Sequence, residues 1–312
     1  MSAEPAVFVG TSGYSFADWV GPFYPAGTRS ADYLAYYAGQ FSCVEVNSTY
    51  YGIPQPRVMD QMQQKTPPGF RFIVKLNQAM THESAREPAL YTRFLEVVQP
   101  LKDAGKYHGL LAQFPWGFKR EERNKVHLEL VRERLPGEPL WVEFRHASWM
   151  HPQLPAWLAE RQLGYCAVDE PALPGLVPPV THVTNGVGYV RFHGRNGRNW
   201  WGSGRGERAS RIGQVAAPIL GSGANREAAA SPAAGTTAAS APAQPRAAGS
   251  REQLRYDYDY SERELTEWVA RVNAMARQAK QTYLFFNNCH AGQAARNARL
   301  MEELLRRSGT LL

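Results

Sequence analysis

A carboxylate and a guanidinium share one face of the apolar segment LWVEFRHASW, residues 140–149. In this alternating pattern Glu143 and Arg145 point to one side, whereas Val142 and Phe144 point to the other. A buried charge is costly unless it is paired, hydrogen-bonded or bound to a ligand. The pair therefore suits general acid/base chemistry or capture of an anion, and the alternative is an ion network that merely closes one end of the fold.

Polar side chains recur near the ends of other apolar runs in the same way. Glu45 and Asn47, for example, share one face of the run CVEVN. The groups that we expect to act in catalysis are Glu143, Glu45, Lys75, Asp169 and His193. The groups that we expect to contact substrate are Ser12, Asn47, Arg145, Arg191, Arg195, Asn287 and Asn288.

Eight short β-rich runs must position these residues. The runs cover residues 7–10, 43–47, 70–75, 109–114, 140–144, 164–169, 188–193 and 283–288. Segments with helical apolar spacing lie between several of them, and Ser261 with Glu264 predicts a capping box at the start of one helix. Strands that alternate with helices predict an α/β fold with a parallel sheet, and eight strands predict a single (β/α)8 TIM-like barrel. Ligands meet such barrels at the C-terminal strand ends, so the candidate residues should converge there.

A long insertion interrupts the connection between the seventh and eighth predicted strands. Residues 204–252 are rich in Ala, Gly, Pro and Arg and have little apolar surface to bury, so this low-complexity segment is predicted to be disordered. The barrel should then be one domain composed of residues 1–203 and 253–312. The proline-rich connection 170–187 is predicted to be an irregular loop.

The composition bears on the location of the protein, the state of its cysteines and its possible partners. The 312 residues contain no apolar stretch of about 20 residues, and the first residues lack the pattern of a secretion signal, so we expect a cytoplasmic protein with no membrane partner. Three widely spaced cysteines predict reduced, packed thiols. The formal net charge is +7, but residues 204–251 contribute +4 through six arginines and two glutamates. Charge alone therefore does not predict nucleic-acid binding.

The chain resembles the YecE-like family, catalogued as domain of unknown function seventy-two. The motifs that carry the resemblance are GTSGY (10–14), W-x-x-x-FYP (19–25), VEVNSTYY (44–51), TPPGFRFIVK (66–75), EFRHASW (143–149), RFHGR (191–195), YDYS (258–261) and FFNN (285–288). The resemblance implies a TIM-barrel-like fold but no established activity. The family's recurrent polar positions match here at Ser12, Glu45, Asn47, Lys75, His82, Glu143, Arg145, Arg191, His193, Asn287 and Asn288, which adds His82 to the expected substrate contacts. Tyr14, Met62 and the insertion depart from the family pattern.

Three kinds of chemistry fit these residues. The loop HGRNGRNWWGSGRGER (193–208) offers arginines and indole rings to a phosphate-bearing ligand such as a nucleotide or a nucleic-acid fragment, unless it is only a solvated loop. Alternatively, a divalent metal could bind to acidic and histidine side chains and activate water, although cationic neighbours oppose this. The ligand set for that metal would be drawn from Glu45, Glu143, Asp169, His193, His82 and His146. Metal-free acid/base catalysis by Glu143, Glu45 and Lys75 is the third possibility.

The sequence thus favours a hydrolase-like enzyme that acts on a small anionic, phosphate-bearing substrate at the barrel mouth. Tyr50 and Trp149 are the aromatic residues expected to line the pocket. The competing hypothesis is a non-catalytic protein that binds an anion or a nucleic acid. The cofactor and the oligomeric state are left open by the sequence. All of these hypotheses require the charged residues of remote strands to converge.

Overall fold

The computed structural model of the protein describes residues 6–201 and 254–312. Its sheet consists of nine parallel strands. The strands are β1 (Ala6–Ser12), β2 (Cys43–Val46), β3 (Arg71–Lys75), β4 (Tyr107–Gln113), β5 (Leu140–Glu143), β6 (Gly164–Tyr165), β7 (Ala167–Asp169), β8 (Val187–Phe192) and β9 (Gln281–Phe286).

Helices connect most of these strands. The α-helices of the described ranges are α1 (Tyr33–Ala38), α2 (Ser48–Tyr51), α3 (Pro56–Gln64), α4 (Gln78–Thr81), α5 (Pro88–Asp103), α6 (Glu122–Arg134), α7 (Leu154–Glu160), α8 (Glu262–Ala276) and α9 (Gln293–Arg307). Short 3-10 turns cover Ala17–Trp19, Ser30–Asp32, Ala147–Trp149 and His290–Gly292. The predicted capping box is present, because Ser261 and Glu264 bond reciprocally at the start of α8.

The sheet is nearly closed into a barrel at Cys166. Strand order runs β6-β5-β4-β3-β2-β1-β9-β8-β7, so β6 and β7 form the two edges of the sheet although only Cys166 separates them in sequence. β6 pairs with β5, whereas β7 pairs with β8. These two strands are therefore halves of the sixth predicted strand, and the predicted eight-stranded TIM-like barrel is confirmed.

Two layers of apolar side chains fill the fold because successive strand residues face opposite sides of the sheet. Outward-facing residues such as Val44 and Val142 pack against the helices in the larger core. The inward-facing apolar residues form a separate core inside the barrel, which consists of Phe8, Cys43, Ile73, Leu111, Trp141, Cys166, Tyr189, Tyr283 and Phe285. Because all strands are parallel, the inward-facing residues that follow this inner core along the strands lie together at the C-terminal end of the barrel.

The connections bear on two further predictions. The proline-rich connection between Asp169 and Val187 contains neither helix nor strand, as predicted. The insertion predicted at 204–252 lies outside the described residues.

The three cysteines are free thiols, and Cys43 and Cys166 are buried. Within the part of the chain that the structure describes, the helices all lack the combination of length and apolar character that crossing a bilayer requires.

Candidate functional site

Arg191 lies at the centre of a charged cluster inside the barrel. Its Nη1 donates to Oε2 of Glu143 at 2.6 Å, and its Nη2 donates to Oε1 of Glu45 at 2.7 Å and to Oγ of Ser12 at 3.3 Å. These side chains come from β8, β5, β2 and β1, and each is at most 1% exposed. The predicted convergence of remote charged residues is therefore observed. We call the set Ser12, Glu45, Glu143, Arg145, Glu170, Tyr189, Arg191 and His193 the inner cluster.

Glu143 is the most heavily contacted acid of the inner cluster. Its Oε1 faces Nε of Arg145 and lies 3.2 Å from Nε2 of His193. Burial by itself would raise the pKa of Glu143, but the guanidinium groups of Arg145 and Arg191 hold it well below its ordinary value. Glu143 is therefore a permanent carboxylate, which suits it to orient its cationic neighbours better than to exchange protons.

His193 is a neutral ring in this environment. Burial and the positive charge of Arg145 hold the pKa of His193 well below its ordinary value. The Asn287 amide nitrogen lies 3.0 Å from Nδ1 of His193. If that amide donates, the single ring proton is on Nε2 and points toward Glu143. Asn287 thus lies beside the inner cluster, as the alternation along β9 predicts.

Two members of the inner cluster were not predicted from the sequence. Tyr189 donates its hydroxyl proton to Oε2 of Glu45 at 2.6 Å. It lies two residues before Arg191 on the same face of β8, so strand alternation was a usable signal. Glu170 accepts a hydrogen bond from Nη1 of Arg145 at 3.2 Å, and burial raises the pKa of Glu170 to about 7.

Asp169 lies apart from the inner cluster, contrary to the sequence-based placement. Its carboxylate accepts hydrogen bonds from Nε and Nη2 of Arg195 at 2.9 and 2.8 Å. It also accepts from the Tyr260 hydroxyl and from Nε1 of Trp268, both at 2.6 Å. Cys166 belongs to the barrel interior, so Asp169, three residues later, faces the helices. We call the set Asp169, Arg195, Tyr260, Glu264, Glu267 and Trp268 the outer cluster.

Lys75 lies at the end of β3 and belongs to neither cluster. Its Nζ donates to Oε1 of Gln113 at 2.8 Å and lies 4.3 Å from the centre of the Tyr50 ring. Among the described residues, no carboxylate forms a salt bridge with this ammonium group. Burial, assisted by the charge of Arg191, lowers the pKa of Lys75 from 10.5 to about 7.

His82 lies close to Lys75. Its ring packs edge-on against Tyr50 with centres 5.1 Å apart, and its Nδ1 is 2.9 Å from the Thr81 hydroxyl. Burial and the nearby charge of Lys75 lower the pKa of His82 to about 4. The ring is therefore neutral at physiological pH and does not add charge to the mouth.

The two remaining predicted amides lie in different settings. Asn47 directly follows β2 and continues its inward-facing side. Its Oδ1 is buried and has no hydrogen-bond partner within the described ranges. Asn288 lies on the helix side, where its Nδ2 donates to the Tyr258 carbonyl at 2.8 Å and to Oδ1 of Asn297 at 2.7 Å. Asn47 therefore offers an acceptor that is unpaired among the described residues, whereas Asn288 ties the chain after β9 to α9.

The loop after β8 differs from the predicted phosphate cradle. Arg195 is engaged by Asp169, and Arg198 is exposed. Trp200 is only 2% exposed and lies beneath the Arg255 guanidinium, 5.2 Å from the ring centre. Arg205 lies outside the described residues. Trp149 is also a core residue, stacked on Phe144 at 4.2 Å and on Phe118 at 5.6 Å, so it does not line the pocket.

The described residues give no support to the predicted metal ligands. Across residues 6–201 and 254–312, no three His, Cys, Asp or Glu side chains are grouped to hold a metal ion. Glu45 and Glu143 each direct one carboxylate oxygen to Arg191, and Asp169 lies in the outer cluster. The cationic groups Arg145 and Arg191 are instead paired with these carboxylates, and Lys75 lies apart with Gln113 as its hydrogen-bond partner.

Comparisons with known proteins agree with the fold and the motifs. The family described as "Protein of unknown function DUF72" matches residues 8–311. The UPF0759 protein YunF of Bacillus subtilis (strain 168) is 27% identical over 311 residues, which cover 96% of this chain and 94% of YunF. The UPF0759 protein YecE of Escherichia coli (strain K12) is 33% identical over 147 residues, which cover 46% of this chain and 50% of YecE.

Solved structures share the architecture. A crystal structure of a DUF72 family protein (TM1631) from Thermotoga maritima MSB8 has a TM-score of 0.75 at 35% identity and covers 96% of this chain and 99% of that one. A DUF72 family protein (EF0366) from Enterococcus faecalis V583 has a TM-score of 0.73 at 25% identity and covers 96% and 95%. The family match extends over nearly the whole chain, which confirms the resemblance seen in the motifs. The chain therefore belongs to the DUF72 family and has its TIM-barrel-like fold.

Proposed function

We propose that the protein is an enzyme that hydrolyses an anionic, phosphate-bearing substrate at the C-terminal mouth of the barrel. Lys75 is the group that transfers the proton, and Arg145 is the group that anchors the anion. The observation that carries the proposal is the position of Lys75, whose buried amine bonds to the neutral Gln113 and to no carboxylate among the described residues.

The proton chemistry follows from the environment of Lys75. A general base is most effective when its pKa is near the working pH, and the pKa of Lys75 is about 7. The neutral amine takes a proton from the water that attacks phosphorus, the ester P–O bond breaks, and the leaving oxygen receives that proton. A bound phosphate would oppose this lowering of the pKa of Lys75, because a nearby negative charge favours the ammonium form, so the neutral amine that acts as the base is the form present above about pH 7.

The inner cluster supports this role by fixing the anchor. Arg145 is 7% exposed and is held between Glu143 and Glu170, so its guanidinium has a defined orientation at the mouth. Guanidinium groups match phosphate oxygens in shape and charge. Glu45 and Glu143 act in this proposal as positioning residues, because both oxygens of each carboxylate are engaged by other members of the inner cluster.

The test compares turnover in Lys75→Met with turnover in the wild type on p-nitrophenyl phosphate, bis(p-nitrophenyl) phosphate and nucleoside monophosphates. We expect the variant to lose about 100-fold or more in kcat, the usual contribution of a general base. The matched control is Lys280→Met, because Lys280 is exposed beside the N-terminal end of β9. This control should retain wild-type turnover.

Binding of inorganic phosphate separates the competing hypotheses. Thermal stabilisation by phosphate in the wild type, with a weaker effect in Lys75→Met, supports the anion site. Phosphate binding without turnover on any substrate of the panel would favour a non-catalytic anion-binding protein. Equal turnover in Lys75→Met and the wild type would overturn the catalytic role of Lys75.

A further inference from the structure

We propose that Trp116, His146 and Trp201 form a stacking subsite beside the anion site, and that this subsite receives the base of a nucleoside monophosphate. The inference rests on the proposed function, because it names the substrate class that the anion site would serve. We call these three residues the ring subsite.

The three residues come from three loops at the mouth of the barrel. Trp116 follows β4, three residues after the Gln113 side chain that bonds Lys75. His146 directly follows Arg145, and Trp201 belongs to the connection after β8. The rings are thus attached to the same strand ends that supply the proposed proton carrier and anion anchor.

The rings contact one another at steep angles. The Trp116 and His146 centres are 4.9 Å apart with planes inclined by 64°, and the Trp116 and Trp201 centres are 5.5 Å apart with planes inclined by 78°. All three residues are partly exposed, unlike core tryptophans such as Trp149, which is 1% exposed. Because each of the three residues is partly exposed, part of their aromatic surface is available to a flat ligand.

The Nε1 edge of Trp116 is turned away from the ligand in this proposal. Nε1 is buried, has no partner among the described residues and lies on the edge of the indole that faces Gly175. A base would therefore contact the exposed aromatic surface of the ring and not Nε1. The Lys119 ammonium lies 5.5 Å from the centre of the Trp116 ring, which adds positive charge at the edge of the subsite.

Neighbouring groups define the wall behind the rings. Gly175 packs closely on Trp116, since a Cβ placed on this residue would lie 3.4 Å from the indole. The carbonyl of Gly175 accepts a hydrogen bond from the backbone of Ala147 at 2.9 Å. The connection after β7 therefore braces Trp116 and the residue after His146, which keeps the ring subsite in place beside Arg145.

The experiment measures three dissociation constants by isothermal titration calorimetry, for inorganic phosphate, ribose 5-phosphate and AMP. In the wild type, AMP should bind about 5- to 150-fold more tightly than ribose 5-phosphate, the range expected for one stacked base. Trp116→Ala should abolish this ratio and leave the affinity for inorganic phosphate unchanged. Trp157→Ala is the matched control, because Trp157 is a partly exposed indole on α7 that packs under Arg161, and it should retain the ratio.

The outcomes distinguish the two proposals. Phosphate binding with equal affinities for AMP and ribose 5-phosphate would overturn the ring subsite and leave the proposed function standing. Absence of phosphate binding in the wild type would overturn the proposed function, and the ring subsite with it. If Trp116→Ala fails to fold by circular dichroism, Trp116→Phe retains an aromatic face and should keep most of the ratio, whereas Trp201→Ala should reduce it. A ratio unchanged in Trp201→Ala would count against the ring subsite.

Discussion

The inner and outer clusters each pair a buried carboxylate with arginine, but their hydrogen bonds are completed to different degrees. In the outer cluster, the carboxylate of Asp169 receives hydrogen bonds from Arg195, Tyr260 and Trp268. In the inner cluster, several polar atoms lack a hydrogen bond of good geometry within the described ranges. These atoms are Oε1 of Glu143, Nε of Arg145, Nε of Arg191 and Nε2 of His193.

This difference concerns how completely each cluster pairs its buried polar atoms. The outer cluster joins β7, the loop after β8 and α8, and each of its donors comes from a different segment. Such a network fixes segments relative to each other. In the inner cluster three of these atoms still face one another, since Oε1 of Glu143 pairs with Nε of Arg145 and lies 3.2 Å from Nε2 of His193, so the buried charge is compensated with incomplete hydrogen bonding.

The largest effect is expected from removal of the central cation of the inner cluster. Arg191→Met leaves Glu45 and Glu143 buried without their shared partner, so we expect the free energy of unfolding in urea to fall by about 3–5 kcal/mol. Arg29→Met is the control, because Arg29 pairs with Asp32 on the surface, and it should cause no measurable change. A loss below about 1 kcal/mol for Arg191→Met would show that the inner cluster does not depend on this residue.

A smaller loss is expected from the corresponding change in the outer cluster. Asp169→Asn keeps the shape of the side chain but places an amide donor among three donors, so the free energy of unfolding should fall by about 2 kcal/mol. Urea unfolding measures this change. Asp32→Asn on the surface serves as the control. A loss equal to that of Arg191→Met would remove the distinction between the two clusters.

The pH dependence of stability reports the state of Lys75. Its folded-state pKa of about 7 lies below the unfolded value of 10.5, so between these values the unfolded chain binds the extra proton. The free energy of unfolding of the wild type relative to Lys75→Met should therefore rise with pH above about 7, by up to about 1.4 kcal/mol per pH unit. Parallel stability curves from pH 7 to pH 10 would show that the pKa of Lys75 is not lowered.

The sequence was sufficient to predict the barrel and most of the inner cluster. Where polar and apolar residues alternate along a strand, the side of the sheet that each residue faces can be predicted. In VEV and VEFR the charged residues stand out from their apolar neighbours, and Glu45, Glu143 and Arg145 indeed face the interior. In the run GYCAVD every residue before Asp169 is compatible with burial on either side of the sheet. The sequence therefore did not show which side of the sheet Asp169 faces. Asp169 was assigned to the site, and Glu170, which joins the inner cluster, was missed.

The contacts across loops were beyond sequence reasoning for a different reason. Trp116, His146 and Trp201 meet only because three separate connections fold back over the mouth, and no periodicity relates these residues. Similarly, Trp149 and Tyr50 both follow strand ends, yet the former is buried in the core whereas the latter lies against Lys75. Residue type and position along the chain do not distinguish such cases, because the packing of the loops decides them.

The smallest effect should come from the exposed acid of the outer cluster. Glu267 lies 3.1 Å from Nη1 of Arg195 and its side chain is 50% exposed, whereas Asp169 holds the same guanidinium from a buried position. Solvent screens the exposed pair, so Glu267→Gln should lower the free energy of unfolding by less than about 0.5 kcal/mol in urea. Asp169→Asn in the same experiment is the comparison. A loss for Glu267→Gln as large as that for Asp169→Asn would mean that Arg195 depends on all its acids equally, and that the buried carboxylate does not by itself anchor the loop after β8.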